Sequence, residues 1–193
     1  MLLPWVILLM FLTFAAVFSF GQQKYALVIG NGDYSNFGSL RNPMNDANDI
    51  AETLEGLGFS VERILNGNLQ QMENAVLSLR SRLAAANGSA PDNDVYGFFY
   101  YAGHGVQMEG QNFLIPVDAN IPDRYFLRDR AMSLQVVLDL LNDAGNTLNM
   151  VVLDACRDFP AAWSRSLNRG LAVIHPHADK HNSVCDQRRH RGR

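Results

Sequence analysis

Two cysteines in 193 residues are too few for a disulfide framework, so any fold this chain takes must rest on an apolar core. Metal-ligand spacing is missing as well. Histidines stand at 104, 175, 177, 181 and 190, and the irregular run of the last four forms no zinc pattern. Gly30-Asn31-Gly32-Asp33 opens like a dinucleotide loop but lacks the third glycine. Asp46, Asn48 and Asp49 lack the glycine and terminal glutamate of a calcium loop. These absences leave no metal and no cofactor to expect. Positive charge is scarce where a nucleic acid would need it. The formal charge is −3, residues 175–193 carry +3 and the leader carries none, which leaves −6 in the body. An acidic body argues against a nucleic-acid partner.

Charge is absent altogether from residues 2–20, which are almost wholly apolar and break at Gly21-Gln22-Gln23. That length suits a signal peptide, with Ser19-Phe20-Gly21 supplying small residues for cleavage, although no Lys or Arg precedes it. Left uncleaved, the segment is a single membrane anchor. Either way the expectation for the chain is a secreted or periplasmic domain, touching membrane only through an uncleaved leader.

The body alternates strand and helix patterns. Tyr25-Ala26-Leu27-Val28-Ile29-Gly30 reads as a buried parallel strand. From Asn45, Ala47, Ile50, Ala51, Leu54 and Leu57 recur at helical spacing until Gly56 and Gly58. A strand over 59–64 follows, then a helix with Met72, Val76, Leu79 and Leu83 on one face. Residues 95–101 form a third strand without a polar face, and 107–116 a hairpin turning at Glu109-Gly110. Ser133 opens a third helix through Leu141, and 148–153 is a fourth strand. This order predicts an α/β fold, an open and mainly parallel sheet with helices on both faces. Active groups in such sheets gather at the carboxyl ends of the strands.

His104 and Cys156 are the only histidine and the only cysteine in the body, and each is expected in a loop just past such an end. A lone cysteine is usually a small hydrophobe and a lone histidine a hydrogen-bonded core or surface residue. Their shared location points instead to nucleophilic catalysis. A thiol attacks as thiolate, and an imidazole beside it takes the proton and returns it to the leaving amine. Gly103 and Gly105 bring backbone close without a Cβ, and the amides of Gly105 and Cys156 are candidates for an oxyanion hole.

Tyr101-Ala102-Gly103-His104-Gly105 and Asp154-Ala155-Cys156-Arg157-Asp158 resemble the two signature stretches of caspase-like peptidases (clan CD, family C14). They stand 52 residues apart, near the spacing of about 50 known for this family. Ile29-Gly30-Asn31 with Tyr34, residues 40–46, and Leu57-Gly58-Phe59 resemble its opening strand and first helix. The resemblance covers about 24–174. It implies the three-layer caspase–haemoglobinase fold, His104 as general base and Cys156 as nucleophile. Asp154 and Asp46 match acidic pocket residues of metacaspases and paracaspases, which cleave after Arg or Lys, and two carboxylates suit a cationic side chain. The plainer reading also stands: Asp46 caps the first helix and Asp154 ends a strand.

The resemblance thus implies a cysteine endopeptidase acting on protein or peptide substrates at basic residues. A catalytically silent module of the same fold, binding a partner, is the alternative. A nucleotide-binding domain lacks its phosphate loop. Residues 175–193 show no apolar periodicity and read as a disordered basic tail. The later strands of the family are then missing, and the fourth strand becomes an exposed edge open to dimerisation.

Overall fold

A computed structural model describes residues 22–89, 94–156 and 182–186. The leader over 1–21 and the rest of the basic tail lie outside the described residues. The elements run β1 (Gln23–Gly30), α1 (Pro43–Gly56), β2 (Ser60–Leu65), α2 (Leu69–Ser89), β3 (Val95–Met108), β4 (Gln111–Leu114), a 3-10 turn (Arg124–Phe126), α3 (Leu127–Arg130), β5 (Met132–Ser133), α4 (Leu134–Asp143), β6 (Leu148–Cys156) and β7 (Asn182–Asp186).

The parallel sheet is ordered β2-β1-β3-β6-β7. β3 is its middle strand, and its run of apolar residues on both faces is what a strand covered twice requires. One face is a dry core. Met72, Val76, Leu79 and Leu83 of α2 and Leu134, Val137, Leu138 and Leu141 of α4 close over Leu27, Ile29, Phe99, Tyr101, Val151 and Leu153. The other face is covered by α1 and built of smaller groups: Ala26, Val28, Ala47, Ala51 and Ala102, with Leu54 and Tyr100. Small residues let α1 lie close. A Cβ on Gly30 would fall 2.5 Å from the Pro43 carbonyl oxygen and 2.6 Å from the Ala47 Cβ, so the first turn of α1 rests on the last residue of β1.

Past His104, β3 leaves the parallel sheet and pairs antiparallel with β4, which pairs in turn with β5. Glu109 and Gly110 both have positive φ, 52° and 79°, the conformation of a two-residue hairpin turn. A third cluster, with Tyr34, Val106, Phe113, Ile115 and Leu127, packs the loop after β1 onto this hairpin.

The α/β class, the helices on both faces and the hairpin turn follow the expectation. Several details differ. β3 runs on to Met108 instead of stopping at Tyr101, because Val106 and Met108 also have a buried face to fill. Leu57 is 59% exposed, since α1 has already ended at Gly56. Ser133 stands at the N-cap of α4 but makes no side-chain cap bond. The expectation of a wholly disordered tail and a bare β6 edge needs correcting. Asn182–Asp186 forms β7, parallel to β6, from Asn149↔Asn182 to Leu153↔Asp186. An apolar edge of unpaired backbone groups recruits the next segment able to pair with it. Dimerisation through that edge of β6 therefore loses its basis.

Candidate active site

β1 pairs with β3 only as far as Gly30↔Ala102, and the Asn31 amide adds a last bond to the Ala102 carbonyl at 2.9 Å. His104, two residues on, presents its own N–H on the same side of β3, where β1 no longer reaches. Tyr34 fills the gap: its hydroxyl accepts the His104 N–H at 2.8 Å. The His104 carbonyl accepts the Ile115 N–H at 3.0 Å and the Tyr101 hydroxyl at 2.7 Å. Tyr34 and Tyr101 hydroxyls lie 3.3 Å apart. A Cβ on Gly103 would lie 2.6 Å from each hydroxyl. The glycine before His104 thus makes room for this tyrosine pair, where substrate approach was expected to require it.

His104 is 3% exposed. Nε2 lies 2.6 Å from the Gly38 carbonyl oxygen. A carbonyl only accepts, so Nε2 carries the proton, and the lone pair of the neutral ring is on Nδ1. The Tyr34 ring packs against the imidazole with centroids 4.5 Å apart, and Phe37 approaches at 6.0 Å. The loop after β1 therefore holds one histidine by its amide, its ring face and its Nε2.

Cys156 is the last residue of β6 and the register partner of His104. Both residues were expected in loops past strand ends; both lie within strands, at the carboxyl end of the parallel sheet. The backbone amide and carbonyl of His104 face the β1–β4 side, so the pair His104↔Cys156 is closed by the amides of Cys156 and Gly105. Gly105 also sits opposite Leu114 in a pair whose flanking bond is Ile115 N–H to His104 O, which keeps the Gly105 N–H out of the β3–β4 ladder.

Asp154 is half-buried and pairs in register with Ala102. Strand alternation puts it on the α1 face with Tyr100, Ala102 and Val152. Asp46 is half-buried in the first turn of α1, where a carboxylate favours the helix dipole. It is not the cap, a position held by Asn42. Ala47, beside Asp46, meets Gly30, and Gly30, Ala102 and Asp154 form one row across three strands, about 10 Å wide at ordinary strand spacing. The two aspartates thus stand at one end and on one face of the sheet.

Tyr34, Phe37, Gly38 and Tyr101 were not singled out as site residues by their sequence positions. Tyr34 had two usable signals, its place beside Ile29-Gly30-Asn31 in the family's opening stretch and its bulk in a mostly small and polar loop shared with Phe37 and Leu40. Gly38 had none, since it contributes a backbone carbonyl. Tyr101 is fully buried, and burial, reinforced by Tyr34, holds its hydroxyl well above the ordinary tyrosine pKa. It stays a neutral donor throughout the working pH range. Among the described residues no group of His, Cys, Asp or Glu is arranged to hold a metal, and no helix is long and apolar enough to cross a membrane.

The caspase domain of peptidase family C14 matches residues 23–190. The chain belongs to the caspase-domain family. That match runs past Ile174 and includes β7. The human mucosa-associated lymphoid tissue lymphoma translocation protein 1 is 35% identical over 136 residues, 70% of this chain and 15% of that protein. Metacaspase-1 of Candida albicans is 33% identical over 93 residues, 46% of this chain and 20% of that protein. The chain thus spans a fifth or less of these relatives. The Drosophila initiator caspase Dronc shares the fold with a TM-score of 0.52 at 12% identity, over 71% of this chain and 50% of Dronc. The family is one of cysteine peptidases acting on protein substrates, and the caspase-like α/β fold is established for this chain.

Proposed function

We propose that the chain is a cysteine endopeptidase that cleaves after Arg or Lys, with Cys156 as nucleophile and His104 as its base. The observation that carries this is the register pair His104↔Cys156 at the carboxyl end of the sheet, beside an imidazole whose lone pair is assigned to Nδ1 by the Gly38 carbonyl. The thiol proton passes to Nδ1 as sulfur attacks the scissile carbonyl, and the imidazolium then protonates the leaving amine. Asp154 and Asp46 supply negative charge for a guanidinium or ammonium at the residue before the cut. The resemblance to metacaspases and paracaspases supports that preference.

Gly105 and Cys156 are the assigned oxyanion donors. An amide bonded to a neighbouring strand cannot also hold an oxyanion, so substrate binding requires the last pair of the β3–β6 ladder to open. That closed pair is also what favours a second reading, a caspase-like module that binds a partner and does not cut. The leader directs this activity outside the cytoplasm in either case.

Fluorogenic peptides ending in Arg, Lys or Asp, offered to the full chain and to Cys156→Ala, separate these readings. Turnover of Arg and Lys peptides, lost in Cys156→Ala, is the expected result. Preference for Asp, or turnover that survives Cys156→Ala, contradicts the peptidase as described. No turnover by a folded chain selects the silent module.

A further inference from the structure

β1 stops two residue pairs short of His104, and a buried amide at that point needs a partner. Tyr34 supplies it at 2.8 Å, and the same side chain lays its ring on the imidazole at 4.5 Å between centroids. Four residues further along the loop, the Gly38 carbonyl takes Nε2. The segment is itself fastened at both sides: the Ser35 amide donates to the Val117 carbonyl at 2.9 Å, the Leu40 amide to the Gly32 carbonyl at 2.9 Å, and Asn36 Nδ2 to the Ala119 carbonyl at 3.2 Å. Tyr34 thus touches both the backbone and the ring of His104.

We propose that Tyr34 is a positioning residue for His104. Its hydroxyl sets the height of His104 in β3, its ring sets the plane of the imidazole, and the two together keep Nε2–H against the Gly38 carbonyl and so hold the neutral ring in one tautomer. Tyr34 acts through His104 and does not touch the substrate. A catalytic base displaced by about 1 Å loses much of its effect, because the reacting atoms leave near-attack distance. Removing the hydroxyl leaves the His104 amide buried without its acceptor, and the strand must shift to satisfy it. This inference rests on His104 being the catalytic base, as proposed above.

Tyr34→Phe keeps the ring and removes the hydroxyl; Tyr34→Leu removes both. Tyr96→Phe, on the distant end of β3 where the hydroxyl bonds Asp94 at 3.0 Å, is the control. Each full-length protein is assayed for kcat and KM on an Arg-ended peptide, and the His104 ring nitrogens are followed by NMR against pH. The expected result is a fall in kcat of about tenfold for Tyr34→Phe and about a hundredfold for Tyr34→Leu, with KM within twofold and circular dichroism unchanged. The His104 signals should move from the Nε2–H tautomer toward an even mixture in both variants and stay put in Tyr96→Phe. Unchanged His104 signals in Tyr34→Phe overturn the inference. So does a loss expressed wholly in KM or in folding. The NMR readout needs no turnover, so a protein that cuts nothing refutes the peptidase reading while the tautomer shift still decides the role of Tyr34.

Discussion

The two faces of the central sheet differ in what they bury. Under α2 and α4 lie mostly large apolar side chains, from Phe99 and Tyr101 to Leu83 and Leu141, with the Tyr101 hydroxyl and the Asn149 amide hydrogen-bonded among them. Under α1 the residues are small, and the same face carries Asp154 and leads into His104 at its carboxyl end. Stability and chemistry are thus separated by strand alternation, since neighbouring residues on β3 and β6 serve opposite faces. The hairpin beyond His104 joins them. Tyr101 belongs to the first core, yet its hydroxyl bonds the His104 carbonyl.

Changes on the two faces should therefore have different signatures. The largest effect is expected at the nucleophile. Cys156→Ala should lower kcat by at least about 10⁴-fold with the folded spectrum intact, measured by peptide turnover and circular dichroism. Phe99→Ala, on the dry face, should cost about 3–5 kcal/mol in denaturant unfolding. At temperatures where that variant stays folded, its KM should not change. Asp154→Asn should lower kcat/KM on Arg peptides by about 10- to 100-fold, the worth of a charge-assisted bond, with stability little altered. A comparable loss of stability from Asp154→Asn and Phe99→Ala would break the division between faces.

Gly103→Ala tests the joint between them. The added methyl collides with two buried hydroxyls, and about 1–3 kcal/mol of stability should be lost together with activity. The smallest effect is a pH dependence. Tyr101 is neutral in the fold, its pKa raised by burial, whereas in the unfolded chain it ionises near pH 10.0. Between those values the unfolded chain binds fewer protons, so stability is full below about pH 10 and falls as pH rises beyond it. Denaturant unfolding at rising alkaline pH should show a shallower decline for Tyr101→Phe than for the parent chain.

Much of this was legible in the sequence. Apolar runs marked β1, β3 and β6, helical spacing marked α1, α2 and α4, and Glu109-Gly110 marked the hairpin. The uniqueness of His104 and Cys156 in the body marked the candidate site. What stayed hidden has two physical causes. Contacts made by backbone, such as the Gly38 carbonyl on Nε2, leave no residue-type signal. Short elements stabilised by their neighbours leave no period: β7 has only Val184 and Cys185 as apolar residues, and it is ordered by the edge of β6. Tyr34 lies between these cases, visible as an aromatic in a polar loop but assignable only once the end of β1 is known.

The central claim, that His104 activates Cys156 in a site made for basic residues, is tested most directly by an arginyl chloromethylketone. The reagent should alkylate Cys156, identified by peptide mass spectrometry, and His104→Ala should abolish the labelling, while an aspartyl analogue leaves the chain unmodified. A folded chain whose Cys156 stays unlabelled by the arginyl reagent, or labels equally with the aspartyl one, contradicts the account.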